Sequence, residues 1–383
     1  MKNGKHIRDP IHGDIIIEED ELEVLDSKKI QRLRRISQLG LSNLVYPSAT
    51  HSRFMHSIGV LHLVNKVSRK VGLSDKERKN HRVASILHDS GHGPFSHASE
   101  IVSEEHEFSH EEISCEIVNE LEDKIPANPD RIKSLILGKD DQANLLAGEI
   151  DCDRMDYLKR DAHMSGLEHG DVDIGTIIES MHIVDNDIIV EQSAAQATAN
   201  FLTARYFMTQ SLYSHTASQI AEKMLAESLR KYVDEYSVRR MMEKDDYEMH
   251  TELMNMDDVG EVYRKAVEER DIYKLCNKIG IQNETKEKLK SFSDIDRQKY
   301  ERIISEEAGV ERNEVILDLP TIPSTEEFSQ KIKYNGEIQQ VSDCLPIVSS
   351  LEDEKWRAVS LSVYGPEDKK EKIGRVSSDV FEN

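Results

Sequence analysis

The chain is poor in cysteine, proline and aromatic residues, and it has no long apolar run. Its 383 residues include four cysteines, which lie far apart and form no CxxC pair, so no disulfide framework is indicated. Only 9 prolines and 5% aromatic residues favour helices over an all-β sandwich. No stretch of about 18 apolar residues is present, which excludes a membrane-spanning helix.

Basic residues are also in deficit. The chain has 50 Lys and Arg against 73 Asp and Glu, a formal net charge of −23. A field of this sign repels phosphate backbones and anionic lipid surfaces, so binding to nucleic acid or to membranes is disfavoured. An anionic substrate would need a local basic cluster. The opening MKNGKHIRDP lacks the apolar stretch of a signal peptide, and we expect a cytoplasmic protein.

The spacing of apolar side chains predicts a mainly helical chain. A short β-branched run at residues 15–17 predicts a small hairpin or an extended arm. Helical patterns follow in KKIQRLRRISQLG closed by Gly40, RFMHSIGVLHLVNKVSRKVG, NHRVASILHDSGHG ending at Gly91, HEEISCEIVNEL, NLLAGEIDCDRMDYLKRDA with Asp153 mid-helix, and residues 194–236. The charged, methionine-rich segment 237–258 is interpreted as a solvated helix or loop.

The pattern changes near residue 316. Pro320 and Pro323 interrupt helix, IKYNGEIQQV predicts a hairpin around its Asn-Gly pair, and RAVSLSVYG alternates like a strand. We therefore predict a mainly α fold, with a helical body over residues 1–310 and a small α+β lobe over residues 311–383.

The dipeptide His88-Asp89 is the strongest chemical signal. Of 16 histidines, only this one is followed directly by Asp, and His56 upstream and Asp153 downstream supply further donors. Nitrogen and carboxylate oxygen suit a divalent transition metal such as Fe, Mn, Ni, Co or Zn. Adjacent His and Asp can reach one ion only where a helix ends, and Gly91 supplies an end. Taken alone, the pair could instead be a helix-end residue and its solvated neighbour.

Three segments then point to a family. LHDSGHGPFSH, RFMHSIGV and IDCDRMDYLKRDAH together resemble the HD-domain phosphohydrolases, in the branch of deoxynucleoside triphosphate (dNTP) triphosphohydrolases that includes bacterial dGTPases and the animal sterile-alpha-motif/HD enzyme. The resemblance runs from about residue 5 to residue 213, with a weaker echo in the C-terminal lobe. It implies an HD fold and these metal ligands: His56, His88, Asp89 and Asp153.

The resemblance also implies a reaction. Members of the branch hydrolyse a dNTP to deoxynucleoside and triphosphate, through attack of a metal-activated hydroxide on the α-phosphorus. The metal is one divalent transition ion at the HD site, and Mg or Mn accompanies the substrate phosphates. A homo-oligomer, either dimer or tetramer, is expected on the same ground.

An acid–base group is predicted close to the glycine-rich turn. His97 and Glu100 are spaced i, i+3, so on a helix the carboxylate can orient the imidazole. His92 lies on the turn itself, and His110 opens the next helix. The resemblance gives all four a catalytic or phosphate-contacting role. Alternatively, His97 is a satisfied core histidine and His110 a surface residue of a first helical turn. Five other histidines are interpreted as structural: His6, His12, His62, His81 and His106.

A triphosphate carries about four negative charges, so arginines must line its path. By resemblance, Arg53, Arg154 and Arg205 contact the phosphates, although each could be an ordinary surface charge. The resemblance assigns the sugar and base to five further residues, which are Gln38 and Asp161 at the 3′-OH, Leu39 at the C2′ edge, and Tyr157 and Tyr213. Simple core packing is the alternative for Leu39 and Tyr213.

A regulatory nucleotide site is a further implication of the resemblance. In the animal enzyme a nucleotide between subunits activates a tetramer, and its contacts match Lys5, Asp26, Gln31 and Arg34. However, residues 191–200 contain no Lys or Arg, and Thr216 stands where that enzyme has Lys. A polyphosphate activator would lose much of its electrostatic attraction. The matched residues could instead be a helix N-cap and a surface pair.

Two other functions stay open. The chain could be another HD phosphohydrolase, such as a nucleotide monophosphatase or phosphodiesterase, or a catalytically weak nucleotide-binding sensor. Ser90-Gly91-His92 comes after the HD pair where alarmone hydrolases carry acidic residues, and the GYP motif of cyclic-dinucleotide phosphodiesterases is absent.

Overall fold

A computed structural model describes residues 4–139, 143–256, 260–280, 294–319, 330–357 and 360–382. Over those ranges the chain is mainly helical, with small sheets, which confirms the predicted mainly α class with an α+β C-terminal part. None of the helices in the described ranges combines the length and the apolar character needed to cross a bilayer.

The helices of the first half are α1 (Leu22–Leu25), α2 (Lys28–Arg32), α3 (Arg53–Lys70), α4 (Asp75–Leu87), α5 (His97–Glu104), α6 (His110–Glu120), α7 (Pro129–Ile136), α8 (Cys152–Ser165) and α9 (Ile174–Ser180). Those of the second half are α10 (Ala195–Met208), α11 (Thr216–Glu235), α12 (Val238–Met242), α13 (Asp246–Met254), α14 (Gly260–Val267), α15 (Asp294–Ala308), α16 (Val341–Cys344), α17 (Pro346–Arg357) and α18 (Lys370–Glu382). The strands are β1 (Gly4–Asp9), β2 (Gly13–Glu18), β3 (Met181–Val184), β4 (Asp187–Glu191), β5 (Lys274–Gly280), β6 (Ile316–Asp318), β7 (Lys331–Tyr334), β8 (Glu337–Gln340) and β9 (Ser360–Gly365).

The N-terminal β-branched run forms a hairpin, in which β1 pairs antiparallel with β2. Ile15 and Ile17 alternate inward and are fully buried, as the two-residue period of a strand requires. The hairpin is fastened to the helical body by Arg82 of α4, which donates to both carboxylate oxygens of Glu21 at 2.7 Å and to the carbonyl of Ile16 at 3.1 Å. This is a buried ion pair, and it fixes where the hairpin lies.

The first helical pattern ends earlier than the sequence predicts. The helix α2 stops at Arg32, a 3-10 turn covers Leu33–Arg35, and Gly40 is not its cap. The chain leaves the helix because its backbone pairs elsewhere. The amide of Gln38 donates to the carbonyl of His51 at 3.0 Å, beside an isolated antiparallel bridge.

Two other helix boundaries matter for the site. The helix α4 ends at Leu87, so His88 is its C-cap and Asp89 lies in the following turn, short of the predicted end at Gly91. The helix α8 begins at Cys152, which places Asp153 in its first turn and not mid-helix as predicted. The carboxylate of Asp151 accepts from the amide of Arg154 at 2.7 Å, and this N-cap explains the late start.

The predicted long helix over residues 194–236 is two helices. A π-helical turn, Thr209–Tyr213, separates α10 from α11. The methionine-rich segment is not solvated as expected, because Met241, Met242 and Met249 are buried in a second hydrophobic cluster built on α11. The segment has a polar composition because charged residues occupy exposed positions between these methionines.

The C-terminal strands join two sheets. The hairpin β7–β8 forms where the Asn-Gly pair predicts it, and β7 extends the β3–β4 pair, while β9 lies between β5 and β6. Pro320, Pro323 and residues 358–359 of the predicted strand lie outside the described residues. Arg357, the first residue of that predicted strand, is instead the last residue of α17. The division after residue 310 stays a prediction, and the sheet β5–β9–β6 contains strands from both sides of it.

We expect Arg82→Ala to lower the free energy of unfolding by about 3 kcal/mol, because it removes a cation from the buried Glu21. Urea unfolding followed by circular dichroism measures the change. Lys29→Ala is the control, since its partner Glu120 is partly exposed and such a pair contributes less than about 1 kcal/mol. Equal, small losses for both variants would show that the Arg82 ion pair does not hold the hairpin.

Candidate metal centre

Four side chains from three segments converge at the ends of α4 and α8. Nε2 of His56 lies 2.8 Å from Oδ1 of Asp153 and 3.8 Å from Oδ2 of Asp89, and Nε2 of His88 lies 3.3 Å from Oδ1 of Asp89 and 3.8 Å from Oδ1 of Asp153. One ligand atom from each of His56, His88 and Asp153 lies within 4.8 Å of the others. The structure thus brings together the four residues predicted as ligands.

The donor set fits a divalent transition metal. Nδ1 of His88 bonds the carbonyl of Ser85 at 2.8 Å, which fixes the proton on Nδ1 and leaves a lone pair on Nε2. Among the described residues, that buried Nε2 has no hydrogen-bond partner. A buried nitrogen lone pair that faces two carboxylates is costly to leave unpaired, and coordination satisfies it.

The electrostatics of the centre also favour a cation. Burial opposes a charged imidazole, but the carboxylates of Asp153 and Asp156 outweigh it and raise the pKa of His56 to about 10. Burial raises the pKa of Asp153, but the nearby imidazoles of His56 and His88 outweigh it and hold that pKa below its ordinary value. The negative field that retains a proton on His56 attracts a metal ion to the same place.

Sequence reasoning missed one carboxylate of this centre. Asp156 lies one turn after Asp153 on α8, and its Oδ2 accepts from Nδ1 of His56 at 2.8 Å. Arg160 donates to both oxygens of Asp156, at 2.8 and 2.9 Å. The spacing Asp-x-x-Asp-x-x-x-Arg on one helix was the available signal, since residues three and four apart share a face.

Asp89 connects the metal ligands to Arg53 and His92. Nη1 of Arg53 donates to Oδ2 of Asp89 at 2.7 Å, and Nε2 of His92 lies 3.5 Å from Oδ1. Burial, together with nearby Arg53 and His110, lowers the pKa of His92 to about 3, so its ring is neutral. Ligand atoms of Asp89, His92 and His110 lie within 4.8 Å of one another, so these side chains line one wall.

The predicted acid–base pair is part of a three-residue chain. The helix α5 begins at His97, and Oε2 of Glu100 lies 3.4 Å from Nδ1 of His97, while Oε1 lies 2.6 Å from Nδ1 of His110. Desolvation opposes charge on both rings, although half of the His97 side chain is exposed, and hydrogen bonding to Glu100 raises the pKa of each. The ring of His110 stacks on that of His92 with centroids 3.9 Å apart. Glu100 therefore serves two histidines, and the sequence predicted only His97.

The three predicted phosphate-binding arginines each have a carboxylate partner. Arg53 contacts Asp89. Arg205 donates from Nη1 to Oε2 of Glu149 at 2.8 Å, and Nη1 of Arg154 lies 3.6 Å from Oε1 of the same Glu149. Sequence reasoning did not identify Glu149, which gathers Arg154 and Arg205 at one point just before α8.

The predicted sugar-binding residues form a buried polar cluster. Asp161 is bonded by Nε2 of His51 and by the hydroxyl of Tyr213, both at 2.8 Å. Oε1 of Gln38 is buried and, within the described part of the chain, has no partner. Tyr157 contacts Tyr213 edge-on, with ring centroids 6.0 Å apart. Leu39 belongs to the main hydrophobic cluster, which agrees with core packing, the alternative to a sugar-binding role.

The residues matched to a regulatory site are locally paired. Nε2 of Gln31 donates to the carbonyl of Leu25 at 2.8 Å, and its Oε1 accepts from Arg34 at 2.8 Å. Asp26 is exposed and is not the N-cap of α2, because Ser27 occupies that position. Lys5 is exposed on β1. This geometry matches the surface-pair alternative for Gln31 and Arg34.

Comparison with known proteins identifies the family. The HD domain family model matches residues 53–161, and the model of the HD associated region matches residues 172–382. This chain belongs to the HD-domain phosphohydrolases, and dNTP triphosphohydrolases are among the relatives that it is similar to. As a member of this superfamily it is a hydrolase, and His56, His88 and Asp153 of its HD domain could hold the divalent metal.

Three individual proteins show how far the similarity extends along the chain. An uncharacterized protein of Methanocaldococcus jannaschii is 31% identical over 381 residues, covering 95% of this chain and 80% of that protein. The deoxynucleoside triphosphate triphosphohydrolase SAMHD1 homolog of Dictyostelium discoideum is 32% identical over 59% of this chain, which spans 49% of that enzyme's length. The crystal structure of a hypothetical Aquifex aeolicus protein matches 98% of this HD chain and 100% of its own, with a TM-score of 0.80 and 27% identity.

We expect Asp153→Ala to abolish metal retention and hydrolytic turnover, because it removes the carboxylate between His56 and His88. Elemental analysis after dialysis measures the metal directly. Asp171→Ala, which removes an exposed carboxylate shortly after α8, should retain both. Stoichiometric metal in the Asp153 variant would place the ion elsewhere.

Proposed function

We propose that this chain hydrolyses deoxynucleoside triphosphates to deoxynucleoside and triphosphate, with one divalent transition metal held by His56, His88, Asp89 and Asp153. The observation that carries the proposal is the buried Nε2 of His88, which faces these carboxylates and has no hydrogen-bond partner among the described residues. It lies beside the hydrogen-bonded group of His97, Glu100 and His110. The activity for which the Dictyostelium relative is named supports the same reaction.

A metal ion held by these residues would lower the pKa of a water molecule and polarise the phosphoryl oxygens. The protein side chains supply the rest. His92 lines the wall of the site next to Asp89. Because its ring is neutral, it carries one N–H group, which can donate a hydrogen bond to a phosphate oxygen. His97 and His110 retain protons because of Glu100, and either can protonate the leaving 5′ oxygen. Protonation of that oxygen releases the deoxynucleoside when the bond to the α-phosphorus breaks.

The remaining residues orient the nucleotide. Arg53, Arg154 and Arg205 bind the phosphates, together with Mg or Mn carried by the substrate. Asp161 and Gln38 are buried, and their polar atoms can form hydrogen bonds with a sugar hydroxyl that enters the cluster. Leu39, Tyr157 and Tyr213 then bound the sugar and base, and the apolar side chain of Leu39 offers a 2′-OH no partner.

One observation favours a second candidate, an HD phosphohydrolase of less charged nucleotides such as a monophosphatase or phosphodiesterase. Glu149 contacts both Arg205 and Arg154. A carboxylate so placed reduces the positive charge that a triphosphate would meet, which favours a substrate with fewer negative charges.

Product analysis separates the two candidates. We expect each dNTP, incubated with the chain and Mn²⁺ or Mg²⁺, to yield deoxynucleoside and intact triphosphate on ion-exchange chromatography, and ribonucleotides to react more slowly. Parallel reactions with added dGTP or GTP test activation through Lys5, Asp26, Gln31 and Arg34. Stepwise release of phosphate, or reaction only with monophosphates or diesters, would replace the first proposal with the second.

Light scattering on the same preparation tests the expected dimer or tetramer.

We expect His97→Ala to keep its metal and to reduce turnover by about 100-fold, because the loss of a general acid typically costs about 10² to 10⁴. Steady-state rates and elemental analysis of the same sample measure both. His106→Ala, an exposed histidine on the turn after α5, is the matched control and should keep the wild-type rate. An unchanged rate in the His97 variant would leave His110 as the acid.

A further inference from the structure

The turn of the N-terminal hairpin reaches the metal centre. His12 lies in the turn between β1 and β2, and its Nε2 is 2.6 Å from Oδ1 of Asp156. The side chains of His12 and Asp156 are 5% and 0% exposed. The sequence predicts only a structural role for His12, which lies well before the matched HD domain that begins at residue 53. The contact therefore joins two parts of the chain that are 144 residues apart.

The hydrogen bonds define which ring nitrogens carry protons. An ionised carboxylate only accepts, so His12 donates from Nε2 and His56 donates from Nδ1 to the two oxygens of Asp156. With one proton held on Nδ1, His56 directs Nε2 towards Asp153 and Asp89, and Nε2 can coordinate a metal ion once that ion displaces the proton shared with Asp153. The orientation of the His56 ring thus depends on where the Asp156 carboxylate points.

The carboxylate of Asp156 has two donors on each oxygen. Oδ1 accepts from His12 and from Nη2 of Arg160, and Oδ2 accepts from His56 and from Nε of Arg160. Gly59 of α3 makes room for this arrangement, because a Cβ there would lie 2.0 Å from Oδ1 of Asp156. Without His12, only Arg160 would hold Oδ1, and the carboxylate could rotate away from His56.

The position of His12 is itself fixed from three sides. Oδ1 of Asp9 accepts from the amides of Ile11 and His12 at 2.9 Å, and its Oδ2 accepts from Arg160 at 2.8 Å. The His12 ring stacks on His62 of α3, with centroids 5.0 Å apart. The turn, α3 and α8 therefore form one rigid unit around Asp156.

We propose that His12 is a positioning residue of the metal centre, which acts through Asp156 to orient His56 for its metal ion. The inference rests on the proposed function, in which His56 is a ligand. It extends the centre to the N-terminal hairpin, outside the HD domain. Residues that orient a metal-bound histidine through a carboxylate typically contribute about 10-fold to 100-fold in metal affinity.

The test is Co²⁺ affinity of the full chain after removal of metal by a chelator, measured by the visible absorption of bound Co²⁺. We expect His12→Ala to weaken binding by about 10-fold and to alter the absorption band. His12→Gln should restore affinity to within about twofold, because its Nε2 amide can donate to Asp156 in place of the ring. If His12→Ala does not fold, His12→Asn replaces it, since its amide is too short to reach.

A matched control separates positioning from folding. His81 of α4 is also a buried histidine, and its ring bonds the carbonyls of Glu77 and Ala143, so His81→Ala should lower thermal stability without changing Co²⁺ affinity. Wild-type affinity in His12→Ala, or equal weakening in His81→Ala, would overturn the inference alone. Absence of Co²⁺ binding by the wild-type chain would overturn the proposed metal site and this inference together.

Discussion

Burial of a carboxylate in a helical core requires a hydrogen-bond donor for each oxygen lone pair that faces the interior, and at Asp156 this requirement organises the metal centre. Removing an unpaired carboxylate from water costs several kcal/mol, so the helices must bring donors to it. Arg160 comes from the same helix, His56 from α3 and His12 from the hairpin turn. Satisfying one buried charge therefore fixes three segments relative to one another, and the ligand His56 is positioned as a consequence.

The same constraint governs the three arginines that we propose bind phosphate. The chain carries a net charge of −23, yet Arg53 contacts Asp89 of the site, and Arg154, which directly follows Asp153, shares the partner Glu149 with Arg205. Each is held by a carboxylate, so their geometry is set before a substrate arrives. A phosphate group competes with Asp89 and Glu149 for these guanidinium groups, and more highly charged phosphates compete better. Under the proposed function, the acidic partners thus make the number of phosphate charges a determinant of specificity.

The sequence was informative where chemistry is local and uninformative where it depends on the fold. His88-Asp89, with glycines close behind, indicated a ligand pair at a helix end because the two residue types, their adjacency and the helix break all lie within a few positions. His12 and Glu149 gave no such signal. Asp156, the partner of His12, is 144 residues away, and the partners of Glu149 lie either 56 residues away or in the helix α8 that begins after it. Two helix boundaries were also predicted wrongly from apolar periodicity. A backbone bridge draws the chain away after α2 ends at Arg32, and an Asp N-cap delays the start of α8 to Cys152.

The segment that leads into His97 explains why residues far outside the HD domain matter to the site. Phe95 and Ser96 have positive φ values of 57° and 49°, a region that costs non-glycine residues about 1 to 3 kcal/mol each and persists only where neighbours enforce it. Asp246 of α13 accepts from the amide of Phe95 at 2.6 Å, and Arg53 of α3 donates to the hydroxyl of Ser96 at 2.7 Å. The start of α5, and with it His97, is therefore held between Arg53 and a helix that lies well beyond the end of the HD domain at residue 161. A shorter chain that ended with the HD domain could retain the four metal ligands but would lack the contact that holds this strained turn in place.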